Sequence, residues 1–254
     1  AREASALVLM DDNFASIVSA VEEGRAVFAN IRKFLTYILA HNVPELIPYL
    51  AFVLLKILLA LLPIQILLVD MGTDSLTALG LGVERPNPNI MRRPPRRPDE
   101  RLFNWPLALR AYFFLGMLEA MAAMACFLFI LWQGGWQYGQ ELAFDNPLYL
   151  QATTAYLGSI IVLQIVNVFL CRSTHRSVFS TGVTGNPLIL WGVLIEITLL
   201  LVVAYTPVGN ALFSTAPLGN SAWLFLLPCA ALLFCLEETR KGLVRNWLAK
   251  RARS

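Results

Sequence analysis

The chain has 254 residues, 57% of them hydrophobic and 15% charged, with a mean hydropathy of +0.61 and a formal net charge of +3. That balance excludes a soluble globular domain of this size and describes a polytopic membrane protein. The expected partner is the lipid bilayer; so small a net charge, on so apolar a chain, gives no reason to expect a nucleic-acid partner.

Residues 1–30 are unlike the rest. Ala6-Leu7-Val8-Leu9-Met10 is a short apolar run suited to a buried strand, and Asp11-Asp12-Asn13 is turn chemistry able to cap a following helix. No cleavable signal sequence is expected, because residues 1–23 lack an apolar core flanked by positive charge. From Phe14, the residues Ile17, Val18, Val21, Ala26 and Phe28 recur at helical spacing, with Glu22, Glu23 and Arg25 on the other side. One strand and one helix cannot bury a core, so this part reads as the end of a larger soluble domain. Its helix is expected to run on towards the membrane through Ile31-Arg32-Lys33.

Six stretches are long and apolar enough to span a bilayer: roughly 34–55, 61–81, 107–132, 149–171, 187–205 and 222–236, the last extending to about Leu243. The first two, taken as one hairpin over Ile31–Gly82, carry polar groups where a bilayer centre would lie. A carboxylate there costs roughly 2.5–3.5 kcal/mol on insertion scales, so several together imply an ion pathway facing a bundle interior. Asn42 and Glu45 stand three residues apart on one helix face, and Pro44 between them frees the carbonyl of Ala40. A freed carbonyl, a carboxylate and an amide oxygen are hard ligands of the kind Na⁺, K⁺ or Ca²⁺ takes. In the second span, Val69-Asp70-Met71-Gly72-Thr73-Asp74-Ser75 places two carboxylates four residues apart around a glycine that permits local unwinding. Two carboxylates so close require a compensating cation or proton.

Residues 83–106 alternate arginine and proline and are expected to be a stiff, extended, basic connection. An anionic-lipid contact, a strap for a cytoplasmic domain and a topology determinant all suit it. The later spans are mostly apolar. Glu119 lies in the third without an evident role, Gln164 and Asn167 lie three apart in the fourth, and Glu196 with Thr198 lies in the fifth. Gln164 and Asn167 suit either neutral ion ligands or interhelical hydrogen bonds. Cys126, Cys171, Cys229 and Cys235 lack ligand or redox spacing and are expected to be buried free thiols.

Arginine and lysine cluster before the first span, after the second and fourth, and in the tail, whereas 133–148 and 206–221 contain neither. By the positive-inside rule both termini are cytoplasmic.

These residues resemble the C-terminal part of P-type cation-transporting ATPases, the group of the reticulum calcium pumps and the sodium–potassium pumps. Leu7-Val8-Leu9-Met10-Asp11-Asp12-Asn13-Phe14 and Val21-Glu22-Glu23-Gly24-Arg25 are similar to the last strand and helix of that family's phosphorylation domain. Asn42-Val43-Pro44-Glu45-Leu46 and Asp70-Met71-Gly72-Thr73-Asp74 resemble the ion-site motifs of its fifth and sixth transmembrane helices. Asn89-Ile90-Met91-Arg92-Arg93-Pro94-Pro95-Arg96 resembles the loop that meets the phosphorylation domain.

The resemblance implies an all-α membrane protein, a six-transmembrane-helix bundle preceded by a strand-plus-helix remnant of a cytoplasmic phosphorylation domain. The expected divisions are 1–30 for that remnant and stalk, 31–82 for the ion-site hairpin, 83–106 for the cytoplasmic loop and 107–254 for a four-helix support domain. It implies that Asn42, Glu45, Asp70, Thr73 and Asp74 bind the transported cation (Na⁺, K⁺ or Ca²⁺), with Gln164, Asn167 and Glu196 as further contributors. Gln164 and Asn167 depart from the acidic residues of the calcium and sodium–potassium types respectively, while Asp70 follows the latter. His41 stands where those pumps carry serine and the gastric proton pump carries lysine. The family's D-K-T-G, T-G-E-S and G-D-G-x-N-D motifs do not occur in the chain. ATP and Mg²⁺ are therefore expected to act only through other parts of a pump, namely its cytoplasmic domains and first four transmembrane helices. The chain is not expected to hydrolyse ATP alone. The expected location is the plasma membrane. A passive channel or secondary transporter, or an inactive membrane scaffold, are the alternatives.

Overall fold

The computed structural model describes residues 13–87, 89–92, 94–95 and 100–251. Six helices are long and apolar enough to cross a membrane: α1 (Phe14–Leu55), α2 (Pro63–Gly82), α3 (Trp105–Gln133), α4 (Pro147–Cys171), α5 (Pro187–Tyr205) and α6 (Asn220–Lys250). Among the described residues there is no strand. The expected strand Ala6–Met10 lies outside them, as do Arg93, Arg96 and Arg97.

The helix starts follow from local chemistry. Asn13, Asn146 and Asn186 each accept a hydrogen bond from a backbone N–H in the first turn of α1, α4 and α5, and Asn104 does so for α3. A proline follows within the first two helical positions of α3, α4 and α5, where its missing N–H costs nothing. This places the starts of α3 and α4 two residues earlier than hydropathy alone suggests. α1 is a single 42-residue helix that carries the amphipathic stretch straight into the first span. It ends where Lys56 adopts the left-handed conformation (φ 51°).

α6 also outruns its apolar stretch. Its polar continuation stays helical because Arg240 pairs with Glu237 and Lys241 with Glu238, each one turn apart. Glu237 in turn receives Arg110 of α3 at 2.7 Å, a pair buried on both sides.

α4 is the pillar of the bundle, packed by α3, α5 and α6 and buried along most of its length. Two apolar clusters divide the interior. One holds Leu68, Val69, Ala123, Ile161 and Leu200; the other holds Leu81, Ala78, Leu115, Val168 and Ile189. Between them runs a polar layer: Asp74 on α2, Glu119 on α3, Gln164 and Asn167 on α4, and Glu196 on α5 are all buried at the changeover. Four helices thus turn polar at one depth.

The two ends of the bundle differ. At one, Glu84 joins Lys33 of α1 to Arg172 after α4, and Arg240 and Arg245 of α6 donate to the carbonyls of Thr174 and His175. At the other, Tyr138 donates to the Leu55 carbonyl, Tyr149 to that of Leu59 and Gln65 to that of Phe213. The basic connection after α4 and the polar end of α6 meet at the first end; both loops without lysine or arginine lie at the second, beside the short α1–α2 connection that carries Lys56. The four cysteines are free, two buried (Cys126 and Cys171), Cys229 half-buried and Cys235 exposed.

Candidate functional site

The site begins with two prolines in α1. Pro44 has no N–H for the Ala40 carbonyl, and Pro48 has none for the Pro44 carbonyl, so two successive turns of backbone are opened. The Pro44 carbonyl is taken by the Tyr156 hydroxyl of α4 at 2.6 Å. The Ala40 carbonyl, which the sequence suggests for an ion, lies against α3: a Cβ on Gly116 would stand 2.6 Å from it.

Facing these turns, α2 widens into a π-helical segment over Leu68–Asp74, centred on Met71 beside Gly72. Single π turns inside α-helices recur at functional sites, because the extra residue rotates side chains out of α register. Here the Thr73 hydroxyl donates to the Val69 carbonyl and Ser75 to that of Asp70. The expected local unwinding at Gly72 is realised as this widened turn.

Across the α1–α2 contact, Glu45, Asp70 and Asp74 each offer a carboxylate oxygen within 4.8 Å of the others. Asp74 is 4% exposed, Glu45 is half-buried with one oxygen lacking any hydrogen-bond partner, and Asp70 is exposed. Three carboxylates at that spacing repel strongly in a medium of low dielectric, and a cation among them is the arrangement that removes the repulsion. Their oxygens are hard ligands suited to an alkali or alkaline-earth ion. Asn42 and Asp70 are exposed on a surface that also shows Leu46, Leu50, Leu67 and Met71. Thr73 is buried, one residue before Asp74.

The further candidates separate. Gln164 and Glu196 are fully buried and none of their side-chain oxygens or nitrogens has a hydrogen-bond partner. Asn167 instead donates to Glu119 at 2.6 Å, tying α4 to α3. Thr198 donates to the Leu194 carbonyl on an exposed face.

Tyr37, which no sequence motif marks, joins these residues, and so does His41, whose position the sequence already marks. Tyr37 is fully buried; its hydroxyl lies 2.9 Å from Thr77 Oγ1 and donates to Asp74 Oδ1 at 3.3 Å. His41 packs against Tyr37 with ring centroids 4.2 Å apart and the planes inclined at 49°. The signal is present in spacing: Tyr37, His41, Pro44 and Pro48 recur every three or four residues and are all buried, so they line the inner face of α1.

Comparison with known proteins agrees with this picture. The family model described as "Cation transporting ATPase, C-terminus" matches residues 58–243. The sodium/potassium-transporting ATPase subunit alpha-4 of Rattus norvegicus is 34% identical over 98% of the chain, which corresponds to 27% of that protein. The subunit alpha-2 of Gallus gallus is 32% identical over 97% of the chain, and the subunit alpha of Tetronarce californica 31% over 96%. The chain spans about a quarter of the length of the curated relatives it matches.

Proposed function

The chain belongs to the cation-transporting ATPase family, as the transmembrane part of a P-type cation pump, and from that premise we propose that Asn42, Glu45, Asp70, Thr73 and Asp74 form one side of its transport site. The observation that carries this is the meeting of three carboxylates from two backbone-disrupted helices within 4.8 Å of one another. Gln164 and Glu196, buried and unpartnered, extend the same site through the polar layer towards α4 and α5.

The cation is Na⁺ or K⁺ in this reading. The relatives are named for sodium and potassium, and Asp70 supplies a charge rather than a neutral amide. Ca²⁺ is the competing cargo.

Asn42 and Asp70 support a second element of the proposal. Polar and ionisable groups within a span face a bundle interior rather than lipid. Their exposure on α1 and α2 marks a face covered by further membrane helices, those of the rest of a longer pump. Residues 1–30 then continue from its phosphorylation domain, 31–82 hold the cargo, 83–106 lie in the cytoplasm, and 107–254 brace the hairpin. Both termini are cytoplasmic in this reading, and the membrane is the plasma membrane. ATP and Mg²⁺ act in the cytoplasmic domains, and their work reaches the site as movement of α1, which runs unbroken from the soluble side to Glu45.

The test is Asp74→Asn in the full-length pump. Cation-activated ATP hydrolysis, titrated separately with Na⁺, K⁺ and Ca²⁺, is expected to be lost. Full retained activation removes Asp74 from the site, and flux that needs no ATP favours a channel or secondary transporter.

A further inference from the structure

Glu119 has no part in the site proposed above. It sits on α3, 1% exposed, in a segment otherwise built of alanine, methionine, leucine and phenylalanine. One of its oxygens is fixed by Asn167 at 2.6 Å; the other has no hydrogen-bond partner. That second oxygen lies 3.8 Å from His41 Nδ1. The same ring nitrogen lies 3.9 Å from Asp74 Oδ1. His41 is fully buried, and neither of its nitrogens is hydrogen-bonded.

A single imidazole nitrogen thus stands almost midway between two carboxylates on different helices, in contact range of both and bonded to neither. A neutral imidazole carries one N–H. With that N–H on Nδ1, closing a hydrogen bond to either acid means moving the ring by roughly 1 Å, since N–H···O bonds centre near 2.9 Å. Closing one lengthens the other. Tyr37 packs against the ring, with centroids 4.2 Å apart and ring planes inclined at 49°.

We propose that Glu119 is a positioning residue of the transport site and acts through His41. When a cation takes Asp74, the imidazole N–H passes to Glu119; when the cation leaves, it returns to Asp74 and shields that carboxylate. Glu119 therefore competes for His41 and leaves Asp74 open to the cargo. The inference rests on the reading of Asp74 as a cation ligand.

In Glu119→Gln the acceptor is neutral and binds the N–H more weakly. The imidazole then stays on Asp74 and competes with the cation. The half-saturating cation concentration for ATP hydrolysis is expected to rise roughly tenfold, with a smaller change in the maximal rate. Na⁺, K⁺ and Ca²⁺ are each titrated on the full-length pump. The same substitution is made in a His41→Ala background, where the rise is expected to vanish.

A rise of equal size in both backgrounds overturns the proposal, because the Glu119 charge then acts through space and not through the ring. No rise in the His41 background overturns it as well. If Asp74→Asn leaves cation activation intact, the site itself is misplaced; if it abolishes activation while Glu119→Gln changes nothing, only the role of Glu119 fails. Should Glu119→Gln not accumulate as folded protein, Asn167→Ala carries the test, since it frees the Glu119 carboxylate from its anchor. It is expected to raise the half-saturating concentration in the same direction by a smaller factor, again only with His41 present, and an unchanged value overturns the proposal.

Discussion

The Tyr156 hydroxyl donates a 2.6 Å hydrogen bond to the Pro44 carbonyl, closing from α4 the gap that Pro48 opens in α1. α1 stays helical but loses a backbone hydrogen bond where the cargo is proposed to bind, and a neighbouring helix supplies the missing donor. Tyr156 is fully buried and packs edge-on to Phe127, so its position is set by the core of the support helices. Removing the hydroxyl leaves the carbonyl unsatisfied in a buried place, at a cost of about 1–3 kcal/mol. Tyr156→Phe is expected to lower the thermal unfolding midpoint of the detergent-solubilised pump and to weaken cation activation, because Glu45 follows Pro44 directly. An unchanged midpoint would show that water satisfies the carbonyl instead.

Thr77 of α2 and Gly192 of α5 meet at a close crossing. A Cβ on Gly192 would fall 2.5 Å from Thr77 Cγ2 and 3.1 Å from its backbone nitrogen. Gly80 meets Ile189 one turn away in the same manner, and Asn186 donates to the Gly80 carbonyl at 2.8 Å. Small residues permit such an approach in membranes, where packing drives helix association. Gly192→Ala must push α5 away from α2 and with it Glu196 from Asp74. It is expected to reduce the yield of folded pump and raise the half-saturating cation concentration, while Gly82→Ala, with open space around it, changes neither.

Much of this was legible in the sequence because membranes impose strong rules. Spans follow from length and apolarity, and the candidate hairpin site from carboxylates that lipid does not tolerate; the asparagine–proline starts of α3 and α4 lie two residues before the apolar stretches and do not follow from apolarity. The rest depends on contacts between residues far apart in the chain. Nothing local to Glu119 or His41 indicates that both converge on Asp74, since the three lie on different helices. The Ala40 carbonyl is freed by Pro44 as the sequence indicates, yet Gly116, more than seventy residues on, decides what it faces. The persistence of α6 beyond its apolar part likewise depends on Arg110 reaching Glu237 from α3.

That last pair carries its own prediction. Arg110 donates to Glu237 through Nε at 3.1 Å and Nη2 at 2.7 Å, and to the Leu170 carbonyl at 3.2 Å, with both partners buried. Breaking a buried pair by removing one partner typically costs about 3–5 kcal/mol, because the other charge is left uncompensated. Glu237→Ala is expected to destabilise strongly, as read by thermal unfolding in detergent. Replacing both residues by methionine is expected to recover much of the loss. If the single substitution is as mild as the double, water and the Leu170 carbonyl already compensate Arg110.

The two ends of the bundle lead to the prediction about orientation. Lys33, Glu84 and Arg172 form one partly buried charge cluster, and Arg240 and Arg245 close onto the same connection after α4. Loops 133–148 and 206–221 contain no lysine or arginine and meet the opposite end through tyrosine, glutamine and backbone groups. Because translocation of short loops is opposed by lysine and arginine, the first end is expected to stay in the cytoplasm and the second to be exported. A glycosylation acceptor placed near Gln140 is expected to be modified in a eukaryotic host, and one placed near Gly185 is not. Adding three or four arginines to 133–148 should reduce that modification by setting the loop against its neighbours. Modification near Gly185 would reverse the orientation and put the charge cluster on the outer side, where the stalk of α1 could receive nothing from an ATP-driven domain.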